Sequence, residues 1–358
     1  MTPAGPRVAG IDPGTVSFDV CALEGGEVVL ERSFLTAQVG ADPDMLVEAL
    51  AGQAPFDLVV GPAGYGLPLV PVEQVGDREL ALMMLVREDE PRGPVGVGGM
   101  RSIVRALIAA GLPLVFGPGA IHLPTVPGYR KWNRIDLGTA DKVASAVLCI
   151  ADQARRLGVG YDETSFVMLE LGGGFSAAIA VGAGQIVDGL GGSAGPIGAR
   201  ACGALDAEVA YLLGAALSKR TVFSGGALDP DGELDLSRGL EELRRNPDHR
   251  EGWLALEEGA AKAALALTAS APAPREVLVT GRLTQAPGLV EALGERLAGI
   301  APVRPVSGVA AAHGAAVLAD GLAGGRYAPL VERLGVAGAS GSVLDHLRVH
   351  GAGEIRLR

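Results

Sequence analysis

The sequence predicts an α/β protein of two domains that share one ligand cleft. Three observations predict it. Apolar strands that end in glycine-rich loops alternate with helical segments, and open α/β sheets place ligands beyond the carboxyl ends of such strands. The length, 358 residues, is that of two domains. A strand–turn–strand–turn–strand unit occurs twice, 158 positions apart, and a repeat outranks any single motif as a guide to architecture.

The second copy of the unit, residues 166–187, reads FVMLELGGGFSAAIAVGAGQIV. Residues 167–171 are apolar except for Glu170, a carboxylate at the strand end. Gly172, Gly173 and Gly174 follow and leave the backbone open to a ligand, and a row of N–H groups in such a turn can hold a phosphate. Ala183-Gly184 then makes a hairpin turn. The first copy has the same plan: residues 8–11 are apolar, Asp12 closes the strand, Pro13-Gly14-Thr15 turns, and Gly25-Gly26 turns again. At the 158-residue offset Asp12 meets Glu170, Gly14 meets Gly172 and Gly26 meets Gly184.

The remaining elements follow in order. Residues 44–51 read as a short helix and 56–61 as a buried strand running into the loop 62–66. Residues 78–87 are amphipathic, 88–96 form a charged, proline-containing loop, and 98–110 form a helix with Arg101 and Arg105 on one solvated face. A strand at 112–116 leads into residues 117–136, rich in proline and glycine yet carrying His122, Tyr129, Arg130, Lys131 and Trp132. This stretch reads as a functional loop or as a structured crossover with a solvated basic face. Two of the chain's four lysines, Lys131 and Lys142, lie in or just after it, and a helix then runs to about residue 157. Residues 188–203 hold too many glycines for a helix or strand and form a long loop carrying Arg200. A helix at 205–218, a strand and turn at 222–226, a charged surface insertion at 229–250 and a helix at 251–268 come next. A buried strand at 276–280 closes on Gly281-Arg282, a helix spans 286–297, and 307–322 is a helix of small residues suited to close packing.

Composition narrows the function classes. Apolar content of 48% supports sizeable cores, and no apolar run approaches the roughly 18 residues of a membrane span. A net charge of −11 argues against a nucleic-acid partner. Cys21, Cys149 and Cys202 have no CxxC spacing, and the first residues lack the basic and apolar regions of a signal peptide. The expectation is a cytoplasmic protein with no nucleic-acid or membrane partner.

In this order the pieces resemble the superfamily of acetate and sugar kinases, heat-shock chaperones and actin. Asp12-Pro13-Gly14-Thr15 resembles its first phosphate loop, residues 169–174 with Ser176 the second, 138–142 and 309–321 the two interdomain connections, and Thr280-Gly281-Arg282 the adenosine loop. Residues 170–206 are similar to the butyrate kinase stretch that leads into the substrate mouth, and the chain from about 7 to 325 resembles a family labelled predicted butyrate kinases. Two departures stand out. Acetate kinases carry a serine-rich first loop, and their second loop follows a histidine where this chain has Glu170.

The resemblance implies two ribonuclease H-like (actin-like ATPase) domains with a nucleotide cleft between them. Residues 1–140, completed by about 307–358, would form one, and 141–306 the other. It implies ATP and Mg²⁺ as cofactors, a small carboxylate as acceptor, and a homodimer as a possible assembly. The implied nucleotide contacts are Asp12, Gly14, Thr15, Ser17, Gly172, Gly173, Gly174, Gly225, Gly281 and Arg282, with Asp12 and Glu170 at the metal. Arg200, Asp141 and Glu170 are the implied catalytic residues. Arg200 would face the transferring phosphoryl group, and Asp141 would act as base only for a hydroxyl acceptor. Alternatives stay open beside these: Asp12 and Glu170 also read as turn caps, Arg200 as a surface arginine, and the chain as an ATPase gating a partner protein or as a sugar-type kinase.

Overall fold

A computed structural model describes residues 5–90, 97–229, 234 and 239–358. The loop expected at 88–96 and the insertion expected at 229–250 fall partly outside them. The first sheet comprises β1 (Arg7–Pro13), β2 (Ser17–Glu24), β3 (Glu27–Leu35), β4 (Leu58–Gly61), β5 (Val70–Pro71) and β6 (Leu114–Phe116), in the order β3-β2-β1-β4-β6-β5. The second comprises β7 (Phe166–Leu171), β8 (Ser176–Gly182), β9 (Gln185–Leu190), β10 (Glu276–Thr280) and β11 (Val303–Pro305), in the order β11-β10-β7-β8-β9.

The two sheets repeat one plan. An antiparallel three-stranded meander is joined, through its first strand, to parallel strands: β1 to β4 to β6 in one, β7 to β10 to β11 in the other. The register repeats too, because Asp12 pairs with Asp19 and Glu170 with Ala177, and each pair lies 158 positions from its counterpart. β7 is buried at every position, as its run of apolar residues, interrupted only by Glu170, requires of a strand covered on both faces.

The layers follow from which faces are apolar. Helices Ala140–Leu157 and Ala310–Leu322 lie between the sheets and share a core with Val8 and Cys21 of the first and Phe166, Met168, Ile179 and Val181 of the second. Helices Asp44–Ala51 and Val97–Ala109 cover the outer face of the first sheet. Helices Arg250–Leu267 and Leu289–Arg296 cover that of the second. The small residues expected to permit close packing do so. A Cβ on Gly10 of β1 would stand 2.3 Å from the Ala316 nitrogen, and one on Gly314 would stand 1.8 Å from the Ala144 carbonyl oxygen.

Three local readings change. The helix expected over 205–218 is Ala207–Leu213, ended by Gly214 at φ 49°, a left-handed position that glycine occupies readily. The strand expected at 222–226 is instead the end of a helical turn, Lys219–Val222, followed by a single bridge between Gly225 and Ala201. Ser218 and Thr221 cap that turn reciprocally, which outweighs the β-preference of Val222 and Phe223. The basic face expected on 117–136 is not solvated at Lys131, which is 8% exposed and donates to the Leu123 carbonyl at 2.9 Å. Arg130 donates to the Val187 carbonyl, and Trp132 stacks against Arg348 of the carboxyl-terminal segment. His122 is a packed residue, 2% exposed, and burial pushes its pKa down to about 4.

Candidate functional site

The turns that end β1 and β7 meet. A Cβ on Gly174 would lie 2.9 Å from Thr15 Oγ1 and 3.1 Å from Thr15 Cγ2, so the two glycine turns touch across the cleft. Each is held from behind. Thr36 Oγ1 donates to the Gly14 carbonyl at 2.7 Å, and the Gly172 N–H donates to the Phe175 carbonyl at 3.0 Å. A third turn joins them: Gly281, at φ 90°, lies so close to the end of β7 that a Cβ would stand 2.5 Å from the Leu171 carbonyl oxygen. Only glycine allows both that dihedral and that approach. The loop carrying Arg200 closes the second turn from outside, with the N–H groups of Arg200 and Ala201 both donating to the Gly174 carbonyl at 3.1 Å.

Beneath the turns lies a cluster of three carboxylates and one ammonium. Thr139 precedes the helix Ala140–Leu157, and its hydroxyl donates to Asp141 Oδ1. Lys142 Nζ lies 2.5 Å from Asp141 Oδ2 and 2.8 Å from Glu170 Oε2, an ion pair in each case. Burial alone would lower the Lys142 pKa, but Asp141 and Glu170 more than offset it and raise it above the usual lysine range. Burial would likewise raise Asp141, yet Lys142 and Thr139 hold it low and ionised. Burial raises Glu170, with Lys142 opposing.

Asp12 differs. Its Oδ1 is shut off from solvent and has no hydrogen-bond partner, and burial together with the charge of Asp141 pushes its pKa well up. Beside it is a cavity of about 20 Å³, room for one water, lined also by Gly61, Gly64, Gly117, Asp141 and Ala315. Among the described residues no group of three or more His, Cys, Asp or Glu stands ready to hold a metal. A hard cation that keeps most of its water shell needs only one or two carboxylates, and the unpartnered Asp12 Oδ1 fits that need. Glu170, named with Asp12 for the metal, has its carboxylate engaged by Lys142.

The other expected site residues lie around this floor. Ser17 Oγ donates to Asp19 Oδ2 at 3.2 Å. Arg282, across the cleft from the first sheet, is near enough for its charge to lower the pKa of Asp19, which burial raises. Arg200 Nε bonds Asp229 Oδ2 at 3.0 Å, and Asp229 is 3% exposed, so this arginine is anchored rather than loose on the surface. Gly225 reaches the site only indirectly, through its bridge to Ala201.

Sequence reasoning missed Asp19, Asp136, Asp229 and a group at the mouth. Asp136 accepts from the Gly138 N–H at 3.0 Å and from the N–H and hydroxyl of Ser193 at 2.9 and 3.0 Å, fastening loop 188–203 to the start of the helix. Beyond it stand Tyr65, Phe175, Phe223 and Lys219. Phe175 and Phe223 meet edge to face at 5.0 Å. The scarcity of lysine was the available signal for Lys219, and the hairpin register was the signal for Asp19.

The fold is the two-sheet α/β fold of acetate and propionate kinases. A propionate kinase from Francisella tularensis superposes with a TM-score of 0.60 at 11% identity, covering 86% of this chain and 98% of that one. Porphyromonas gingivalis acetate kinase gives 0.55 at 16% identity, covering 88% and 99%. Entamoeba histolytica acetate kinase gives 0.53 at 12%, covering 82% and 86%. The chain belongs to the family described as "Protein of unknown function (DUF1464)", which it matches over residues 10–349. No curated protein matches it.

Proposed function

We propose that the protein is an ATP-dependent phosphotransferase with a carboxylate acceptor, a short-chain fatty acid kinase of the butyrate kinase type that forms an acyl phosphate and ADP. One observation carries the reading: two repeated glycine turns touch over a carboxylate oxygen that has no partner. Phosphoryl transfer asks mainly for alignment and for donors around the transferred group. Within turns 13–15 and 172–174, the N–H groups of Gly14, Thr15, Gly173 and Gly174 would supply donors for the β- and γ-phosphates, and adenosine would rest against Gly281-Arg282. Asp12 would hold Mg²⁺ largely through water, and the ion would neutralise charge on the phosphates. Lys142 offsets part of the charge of Asp141 and Glu170, which would otherwise repel a polyphosphate more strongly. Arg200, fixed by Asp229, offers its remaining guanidinium nitrogens to the transferred group. A carboxylate acceptor is ionised at pH 7 and needs no base, which suits a site whose Asp141 is held as a low-pKa ion pair.

The test is incubation with ATP, Mg²⁺ and a panel of C2–C6 acids, with acyl phosphate trapped by hydroxylamine. Hydroxamate that depends on the added acid is the expected result. ATP loss without acceptor dependence would instead mark a nucleotide-driven ATPase that gates a partner, and a stable phosphoester a hydroxyl-directed kinase. Either would overturn the proposal.

A further inference from the structure

Lys219 opens the short helix Lys219–Val222, and its backbone N–H donates to Glu90 Oε1 at 2.8 Å. Its side chain turns back into the cleft mouth. Nζ lies 4.7 Å from the centre of the Tyr65 ring, 5.7 Å from that of Phe223, and 3.3 Å from the Tyr65 hydroxyl. Among the described residues no carboxylate comes within 4.0 Å of it. The other cations close to the turns differ: Lys142 has Asp141 and Glu170, and Arg200 has Asp229.

A largely desolvated ammonium without a counter-ion is an expensive arrangement, and aromatic faces offset only part of the lost hydration. Burial pushes the Lys219 pKa down to about 8, with Asp136 and Glu90 opposing from farther away. Both of those carboxylates have other partners: Asp136 bonds Gly138 and Ser193, and Glu90 bonds the Lys219 backbone and lies 3.7 Å from Arg87. The position is also telling. Phe175, against which Phe223 packs, directly follows Gly174, and Tyr65 follows Gly64, which lines the cavity beside Asp12. Tyr65, Phe175, Phe223 and Lys219 each keep a minor part of their surface exposed, so the group is not sealed inside a core.

We infer that Lys219, flanked by Tyr65 and Phe223, is the acceptor anchor: its ammonium pairs with the carboxylate of a small monocarboxylic acid whose apolar tail lies against Phe175 and Phe223. This rests on the carboxylate-kinase reading and adds the residue that selects an anionic acceptor. Tyr65 comes from the loop after β4 and Lys219 from the second half of the chain, so the anchor is complete only where the two halves meet.

The full chain, Lys219→Met and Lys219→Arg are compared with the same acids. Loss of the ammonium raises the KM for the acid by about 10- to 100-fold, the range expected for a charge-assisted bond, with Mg·ATP affinity unchanged and partial recovery in Lys219→Arg. In the native chain acid affinity falls as pH rises through about 8, where Lys219 loses its proton; of the groups facing it, Asp136 and Glu90 act on it only from a distance, and the Tyr65 phenol stays neutral because burial raises its pKa. An unchanged KM for the acid in folded Lys219→Met overturns the anchor and leaves the kinase reading standing. If the native chain forms no hydroxamate, the kinase reading fails by itself, and saturation-transfer NMR with butyrate still decides the anchor. Binding to the native chain that is lost in Lys219→Met supports it. No binding, or equal binding to both, overturns it.

Discussion

Asp12 holds a carboxylate where burial and the neighbouring charge of Asp141 oppose ionisation. An acid whose folded pKa is raised makes the folded state less stable at every pH above the ordinary carboxylate value, about 3.9, because the unfolded chain ionises freely there. Asp12→Asn is therefore expected to stabilise the nucleotide-free protein at pH 7, by about 0.5–2 kcal/mol in urea denaturation, the usual yield of relieving a functional conflict. The same substitution should abolish Mg·ATP-dependent turnover. In the native chain, stabilisation by Mg·nucleotide should fade on acidification at a pH above the usual carboxylate range, as Asp12 takes up a proton. Asp12 was legible in the sequence because its signal is local: an acid that ends an apolar strand and precedes a glycine turn. Lys219 was not, because Tyr65, which flanks it, lies 154 residues away. Lys142 stood between these cases. Its rarity and its loop were visible, but its role in joining Asp141 to Glu170 needed β7 beside the helix.

At the scale of elements, the duplicated meander was readable because alternation and turn glycines are written within a few residues. Its register survived into the structure, from Asp12–Asp19 to Glu170–Ala177. Residues 222–226 were misread because Val222 and Phe223 suggest a strand while a reciprocal cap at Ser218 and Thr221 favours a helical turn. Helix Ala310–Leu322 was identified by its small side chains, and the reason is now specific: Gly314 crosses Ala144 in backbone contact. Gly314→Ala should cost about 1–3 kcal/mol or more, as overpacking does, because a carbonyl rather than a flexible side chain stands in the way. Gly294→Ala is the control. It lies in helix Leu289–Arg296 with open space at the Cβ position and should gain about 0.5–1 kcal/mol. Thermal and urea unfolding of the two variants, moving in opposite directions, would separate close approach from helix propensity.

For the whole molecule, the decisive arrangement is two copies of one unit facing a common hollow. If one nucleotide spans both, hydrogen exchange should slow at residues 14–15 and 172–175 together when Mg²⁺ and a non-hydrolysable ATP analogue are added. Protection confined to one turn would refute a shared grip. None of the helices among the described residues is long and apolar enough to cross a membrane. The repeated meander and the meeting of its turns followed from pattern and repeat; the strand order in each sheet, and the short strands Val70–Pro71 and Val303–Pro305, did not. The mouth did not, because it is assembled from loops around residues 65, 136, 175, 193 and 219 that approach only after both halves have formed.

The fit of Gly10 against Ala312, Ala315 and Ala316 bears on how the chain is made. Synthesis on the ribosome begins at the amino end, so β1 emerges some three hundred residues before the helix that covers it. Until that late segment leaves the exit tunnel, one side of the first sheet is bare apolar surface, whereas the second sheet already has both of its outer helices. A segment translated late is thus what lets a segment translated early settle.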